Sequence, residues 1–195
     1  MMGLHPCYVK ENVNNELAIV EKWINERDFV AIGEIGLDFY WDKTFVEQQR
    51  KAFETQMEWA LVKNWPIVIH TRNAMQETIE MVKPFAKRGL RGIFHCFSGS
   101  AESAKQIVDL GFYLGIGGVI TYKNAGLPEA LENISLSHLV LETDAPYLAP
   151  VPFRGKRNES GYLLYIAEKL AAVKQTTLQE VAEVTTANAQ KIFGS

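Results

Sequence analysis

The chain has little cysteine, with two residues, Cys7 and Cys96, among 195. Two thiols cannot staple a small secreted scaffold, and their scarcity fits a reducing compartment, so a cytoplasmic location is expected. No apolar run approaches the roughly 20 residues that a membrane-spanning helix needs, so no membrane partner is expected. An excess of one charge is missing as well. Lys and Arg number 20 against 23 Asp and Glu, for a formal net charge of −3. That balance excludes a protein that coats nucleic acid through bulk charge, but it leaves room for a local basic patch. Solenoid repeats, low-complexity tracts and linkers are absent, and the first ten residues read as strand and loop rather than as a signal peptide. What remains is an ordinary globular composition, 47% hydrophobic, long enough for one sizeable core and read as a single domain over residues 1–195.

Strand-like and helix-like stretches alternate along the chain. Residues 14–27 carry Leu17, Val20 and Ile24 on one helical stripe. The apolar run 29–35 is followed by a helix over 44–64, with Val46, Phe53, Met57, Ala60 and Leu61 on one face. A strand at 66–70 precedes a helix near 74–88 that Gly89 ends. A strand at 91–97 precedes a helix at 101–110, with Ser100 as its N-cap and Gly111 behind it. A strand at 112–118, a helix at 126–133 and a strand at 138–144 follow, and the tail from 159 to 193 reads as helices only. With the opening MMGLH counted, six strand units emerge. Such alternation implies parallel strands joined by crossover helices, in an open doubly wound sheet or in part of an eight-stranded barrel.

Five segments end in residues that bind metal or phosphate: GLHP (3–6), GEIGLDFY (33–40), IVIHTR (67–72), IFHCFSG (93–99) and LVLETDAPYL (139–148). Four of them follow apolar, mostly β-branched runs, the pattern of strands buried on both faces. Glu34 lies inside such a run, where an unpaired carboxylate is costly and must meet a cation or a metal. A histidine at a strand end is, taken alone, more often a packing residue. His70 and His95, in the same place on successive strands, together read as neutral metal ligands. Asp144 completes the set, either as a ligand or as the base that orients an attacking water. Glu142, two residues earlier, would share its face in a regular strand and help to fix a ligand. Asp38 reads as a loop cap or a supporting partner. His5 reads as a phosphate contact or proton donor, with packing beneath Pro6 as the bland alternative. His138, at the start of its strand, reads as structural. Arg154, Lys156 and Arg157, shortly after Asp144, suit a phosphate-bearing substrate, and Arg72 could join them.

Taken in order, GLHP, GEIGLDFY, IVIHTR, HCFSG, ETDAPYLAP and RGKRN resemble the TatD family of metal-dependent deoxyribonucleases, within the amidohydrolase superfamily. The resemblance runs over essentially the whole chain. It implies an α/β fold, a TIM-type (β/α)8 barrel, here incomplete at the N-terminus with about six of eight strand–helix units. It implies a divalent cofactor, one or two ions of Mg, Mn or Zn, and nucleic acid as the substrate, cleaved at its phosphodiester bonds by metal-activated water. By motif, Glu34, His70, His95 and Asp144 resemble the metal ligands, with Glu34 and Asp144 also catalytic. His5, Arg72, Arg154, Lys156 and Arg157 resemble positions around the substrate phosphate. The family's opening His-x-His motif has no counterpart here. The chain starts at what would be the third strand, and the expected consequence is an incomplete sequence or a homo-oligomer that covers the open barrel edge. Phe153 stands where many members have His, and Ser160 where many have Pro. Two other readings stay open: a metal-dependent deacylase or amidohydrolase acting on aminoacyl-tRNA or a small amide or lactone, and an inactive fragment or assembly module.

Overall fold

The runs of apolar residues become parallel strands because both of their faces are covered. In a computed structural model, which describes residues 1–194, the chain divides into two compact units, Met1–Phe94 with Gly194 and His95–Phe193. In the first unit, helix α1 (Val13–Glu26) precedes strand β1 (Ile32–Asp38), helix α2 (Val46–Lys63), strand β2 (Ile67–Arg72), helix α3 (Met75–Ala86) and strand β3 (Gly92–Phe94). β1 pairs in parallel with β2, and β2 with β3, so spatial order follows sequence order. Six of the seven β1 residues are buried, Glu34 being the exception. Gly36, at φ 144°, allows the close approach of β2, because a Cβ there would lie 2.0 Å from the His70 carbonyl oxygen.

The buried stripe of α2 differs from the expected one. It comprises Gln49, Ala52, Phe53, Gln56, Met57 and Ala60, whereas Val46 and Leu61 lie at its margins. Two glutamines belong to it because the backbone beneath them needs partners. Gln56 Oε1 accepts the Leu4 amide at 2.6 Å while its Nε2 donates to the Leu4 carbonyl at 3.2 Å. That corrects the reading of MMGLH as a strand. Only Met2 forms a ladder bridge, to Ile32, and a 3-10 turn at Pro6–Tyr8 follows. Pro6 has no amide to donate, and a glutamine side chain takes the place of the neighbouring strand.

In the second unit, helix α4 (Ala101–Asp109) is followed by strand β4 (Tyr113–Ile116), helix α5 (Leu127–Leu131), strand β5 (Leu139–Leu141), and helices α6 (Leu163–Lys174) and α7 (Leu178–Phe193). Ser100 caps α4 as expected, its hydroxyl accepting the Ser103 amide at 3.2 Å. β4 and β5 pair in parallel. Phe97, Phe112, Leu114, Ile116, Ile166 and Leu170 are fully or almost fully buried, each such side chain contributing about 1.5–3 kcal/mol. Five strands thus stand among the described residues where six units were expected, and the difference is the opening segment.

Candidate metal centre

Glu34 is aimed by an irregularity in its strand. Gly33 pairs with Val68 and Ile35 with Ile69, which leaves Glu34 as the extra residue of a bulge. A bulge turns a side chain off the face that strand alternation would give it. Glu34 Oε2 lies 3.6 Å from His5 Nε2. His5 Nδ1 accepts the Cys7 amide at 3.1 Å, so the proton of the neutral ring sits on Nε2, facing the carboxylate. The His5 ring also packs against that of His70, with centroids 4.4 Å apart. His5, Glu34 and His70 are therefore clustered in the first unit.

His70 is oriented by Asp38, whose side chain is 1% exposed and whose Oδ2 lies 2.9 Å from His70 Nε2. An ionised carboxylate only accepts, so Nε2 donates and Nδ1 is the accepting nitrogen of the ring. A carboxylate behind a ligating imidazole is a common device for fixing tautomer and ring orientation. Asp38 is itself held firmly. Oδ1 accepts the Tyr40 and Trp41 amides at 2.9 and 3.3 Å, and the Cys7 thiol donates to Oδ2 at 3.4 Å. Gln49 clasps the Asp38 backbone from both sides, Oε1 to the amide at 2.9 Å and Nε2 to the carbonyl at 3.0 Å. Burial pushes the Asp38 carboxyl up, but the bonds from His70, Tyr40, Cys7 and Trp41 outweigh it and hold the group below its ordinary value. The Cys7 thiol moves the other way, to about 11, through burial, the Asp38 charge and the bond to Asp38, against the pull of Arg72. His5, Cys7 and His70 each offer a donor atom within 4.8 Å of the others. The His70 imidazole and the Glu34 carboxylate are the donors here that fit a divalent metal, whereas the Cys7 thiol is held protonated against Asp38.

In the second unit His95 is nearly buried, at 8% side-chain exposure, with Nδ1 3.8 Å from Glu142 Oε1. Glu142 also accepts the Cys96 amide. It packs over Gly115, where a Cβ would meet the carboxylate oxygen at 2.8 Å. Glu142 thus stands beside His95, and strand alternation does not set its position relative to Asp144. β5 ends at Leu141, and Asp144 sits in a left-handed conformation at φ 55°. Asn158, 1% exposed, anchors this stretch. Its Nδ2 donates to the carbonyls of Thr143 and Tyr147, both at 2.6 Å, and its Oδ1 accepts the Glu159 amide at 2.9 Å. Arg154, Lys156 and Arg157 are exposed. The Arg154 guanidinium lies 4.4 Å from the Tyr122 ring centre. His138 stands beside Tyr113, ring centroids 6.3 Å apart, in keeping with a structural role.

Sequence reading missed Gln49 and Asn158, both polar residues that only burial makes conspicuous. The one available signal for Asn158 was its place at the end of a basic loop that follows Asp144.

Parallel strands joined by helices, with imidazole and carboxylate side chains on the strands or just after them, suit a metal-dependent hydrolase of the α/β barrel class. Its relatives agree. A family model described as TatD related DNase matches residues 1–194. The uncharacterized metal-dependent hydrolase YabD of Bacillus subtilis is 41% identical over 98% of this chain and 76% of its own length. The 3'-5' ssDNA/RNA exonuclease TatD of Edwardsiella piscicida is 34% identical over 98% of this chain and 76% of its own. The crystal structure of YjjV, a TatD homologue from Escherichia coli, superposes with a TM-score of 0.93 at 27% identity, covering 100% of this chain and 76% of that one. The chain belongs to the TatD family of metal-dependent hydrolases.

Proposed function

We propose that the chain hydrolyses phosphodiester bonds in DNA or RNA, with Glu34, His70, His95 and Asp144 as its metal ligands. The observation that carries this reading is the cluster of His5, Glu34 and His70 with Asp38 behind it. A buried carboxylate that fixes the tautomer and orientation of an imidazole has a clear use in a metal site. Arg72, which follows this cluster on β2, and the exposed cations Arg154, Lys156 and Arg157 suit an anionic backbone, since guanidinium groups bind phosphate bidentately. The relative named as an ssDNA/RNA exonuclease supports the same substrate class. Glu34, His70, His95 and Asp144 would hold a divalent ion, which would supply Lewis-acid chemistry for attack of water on the phosphodiester. The Asp144 carboxylate accepts the proton of the attacking water. His5, with its proton on Nε2, steadies Glu34. Cys7 and Cys96, neither of them in a disulfide, suit action in the cytoplasm.

The test is cleavage of end-labelled single-stranded DNA and RNA by the purified chain with Mg, Mn or Zn. Glu34→Ala and His70→Ala should each lower the rate by more than about 100-fold, since losing even outer partners of a metal site costs 10–100-fold. Full activity in both variants would remove the site. Absence of cleavage by the wild-type chain with every metal, alongside cleavage of an aminoacyl ester, would transfer the reading to acyl hydrolysis.

A further inference from the structure

Two large aromatic side chains stand in solvent directly after β1. Tyr40 is 50% exposed and Trp41 is 67% exposed. Rings of this size contribute most when buried, and leaving two adjacent ones in water forgoes that stabilisation. They are nevertheless fixed in place. Both backbone amides are bound to Asp38 Oδ1, and Asp42 closes the next turn by accepting the Thr44 amide at 2.8 Å. The rings meet edge to face, with centroids 4.8 Å apart and an interplanar angle of 86°. The Arg72 guanidinium lies 3.7 Å from the Tyr40 ring centre and 5.3 Å from that of Trp41. Arg72 is the register partner of Asp38 at the end of β2. One carboxylate therefore orients His70 with one oxygen and pins the aromatic loop with the other.

From this juxtaposition we infer that Tyr40, Trp41 and Arg72 form a stacking platform for a nucleobase of single-stranded DNA or RNA. The inference rests on the proposed nuclease reading and deepens it by naming a base-binding position. A base stacks on the exposed indole of Trp41, while Tyr40 and Arg72 hold the indole in orientation and place a positive charge beside the strand's phosphates. Stacking of this kind is tolerant of sequence, because every base has a π-face. It also selects against duplex DNA, whose bases are already stacked on one another. Because the loop is pinned before ligand arrives, little ordering entropy opposes binding.

The test uses the full chain as purified and strands with hydrolysis-resistant phosphorothioate linkages. One strand bears bases, and a second of equal length is abasic. Fluorescence anisotropy of the labelled strand reads affinity. Trp41→Ala should weaken binding of the base-bearing strand about tenfold, within the 1–3 kcal/mol that one stacked base contributes. It should leave binding of the abasic strand unchanged. Trp41→Phe, which retains a π-face, should restore most of the loss. The inference is overturned if Trp41→Ala affects neither strand, if it weakens both equally, or if Trp41→Phe binds as poorly as Trp41→Ala. The nuclease reading fails separately, if ordinary phosphodiester strands stay intact with every metal while this binding pattern holds.

Discussion

Asp38 shows what one buried carboxylate can organise. It orients His70, fixes two loop amides and receives the Cys7 thiol. Replacing it with Asn keeps the shape but removes the charge. Asp38→Asn should therefore lower metal affinity about 10–100-fold, as loss of a ligand's supporting partner does, measured by competition with a chromogenic chelator. The same change has a second readout. With the Cys7 thiol held up at about 11, only about 0.1% of it is thiolate at pH 8, although the residue is exposed, and thiolate is the reactive form. Iodoacetamide should label Cys7 slowly at pH 8 and faster as the pH climbs toward 11. Asp38→Asn removes two of the three influences that raise the thiol, so labelling at pH 8 should accelerate several-fold. Wild-type Cys7 reacting at the rate of a free thiol would contradict this account.

At the scale of elements, the two stretches that carry the most chemistry are the least regular. β1 bulges at Glu34, and β5 stops three residues short of Asp144. Periodicity located both strands, because runs such as IVIH and HLVL are apolar on both faces wherever they occur. It could not reveal the bulge or the early stop, since those depend on which neighbour each backbone group meets. Asn158 illustrates the point. Within RGKRN it reads as one more polar loop residue, yet it ties the loop to the carbonyls on either side of Asp144. Asn158→Ala leaves two carbonyls without their partner, at about 1–3 kcal/mol each where they are shielded from water. Amides of residues 143–147 should lose hydrogen-exchange protection, and hydrolysis should fall with them. Unchanged exchange there would show that the loop is held by other contacts. The stripe of α2 teaches a related lesson, for helical spacing located the helix, while Gln49 and Gln56 are buried only because Asp38 and Leu4 present bare backbone to them.

For the molecule as a whole, metal binding and stability should be linked. A ligand that binds only the folded chain stabilises it by about 2.7 kcal/mol at a hundred times its dissociation constant. For a chain of this length that corresponds to a rise in melting temperature of roughly 5–10 °C. Calorimetry with and without added metal should show that rise in the wild-type chain, and chelation should abolish it. His70→Ala should melt at the same temperature under both conditions, and an equal metal response in both proteins would place the ion elsewhere. No described helix is long and apolar enough to cross a membrane, in line with the scarcity of apolar runs in the chain. The amino-acid order alone determined that strands and helices alternate, which residue types end the strands, and to which family the motifs point, because these follow from local patterns of polarity and from short contiguous words. Tertiary structure alone decided which nitrogen of His70 faces Asp38, how Glu34 leaves its strand, and that Tyr40, Trp41 and Arg72 meet. Those outcomes depend on pairings between residues some thirty positions apart, and such pairings exist only once the backbone has brought the partners within hydrogen-bonding reach.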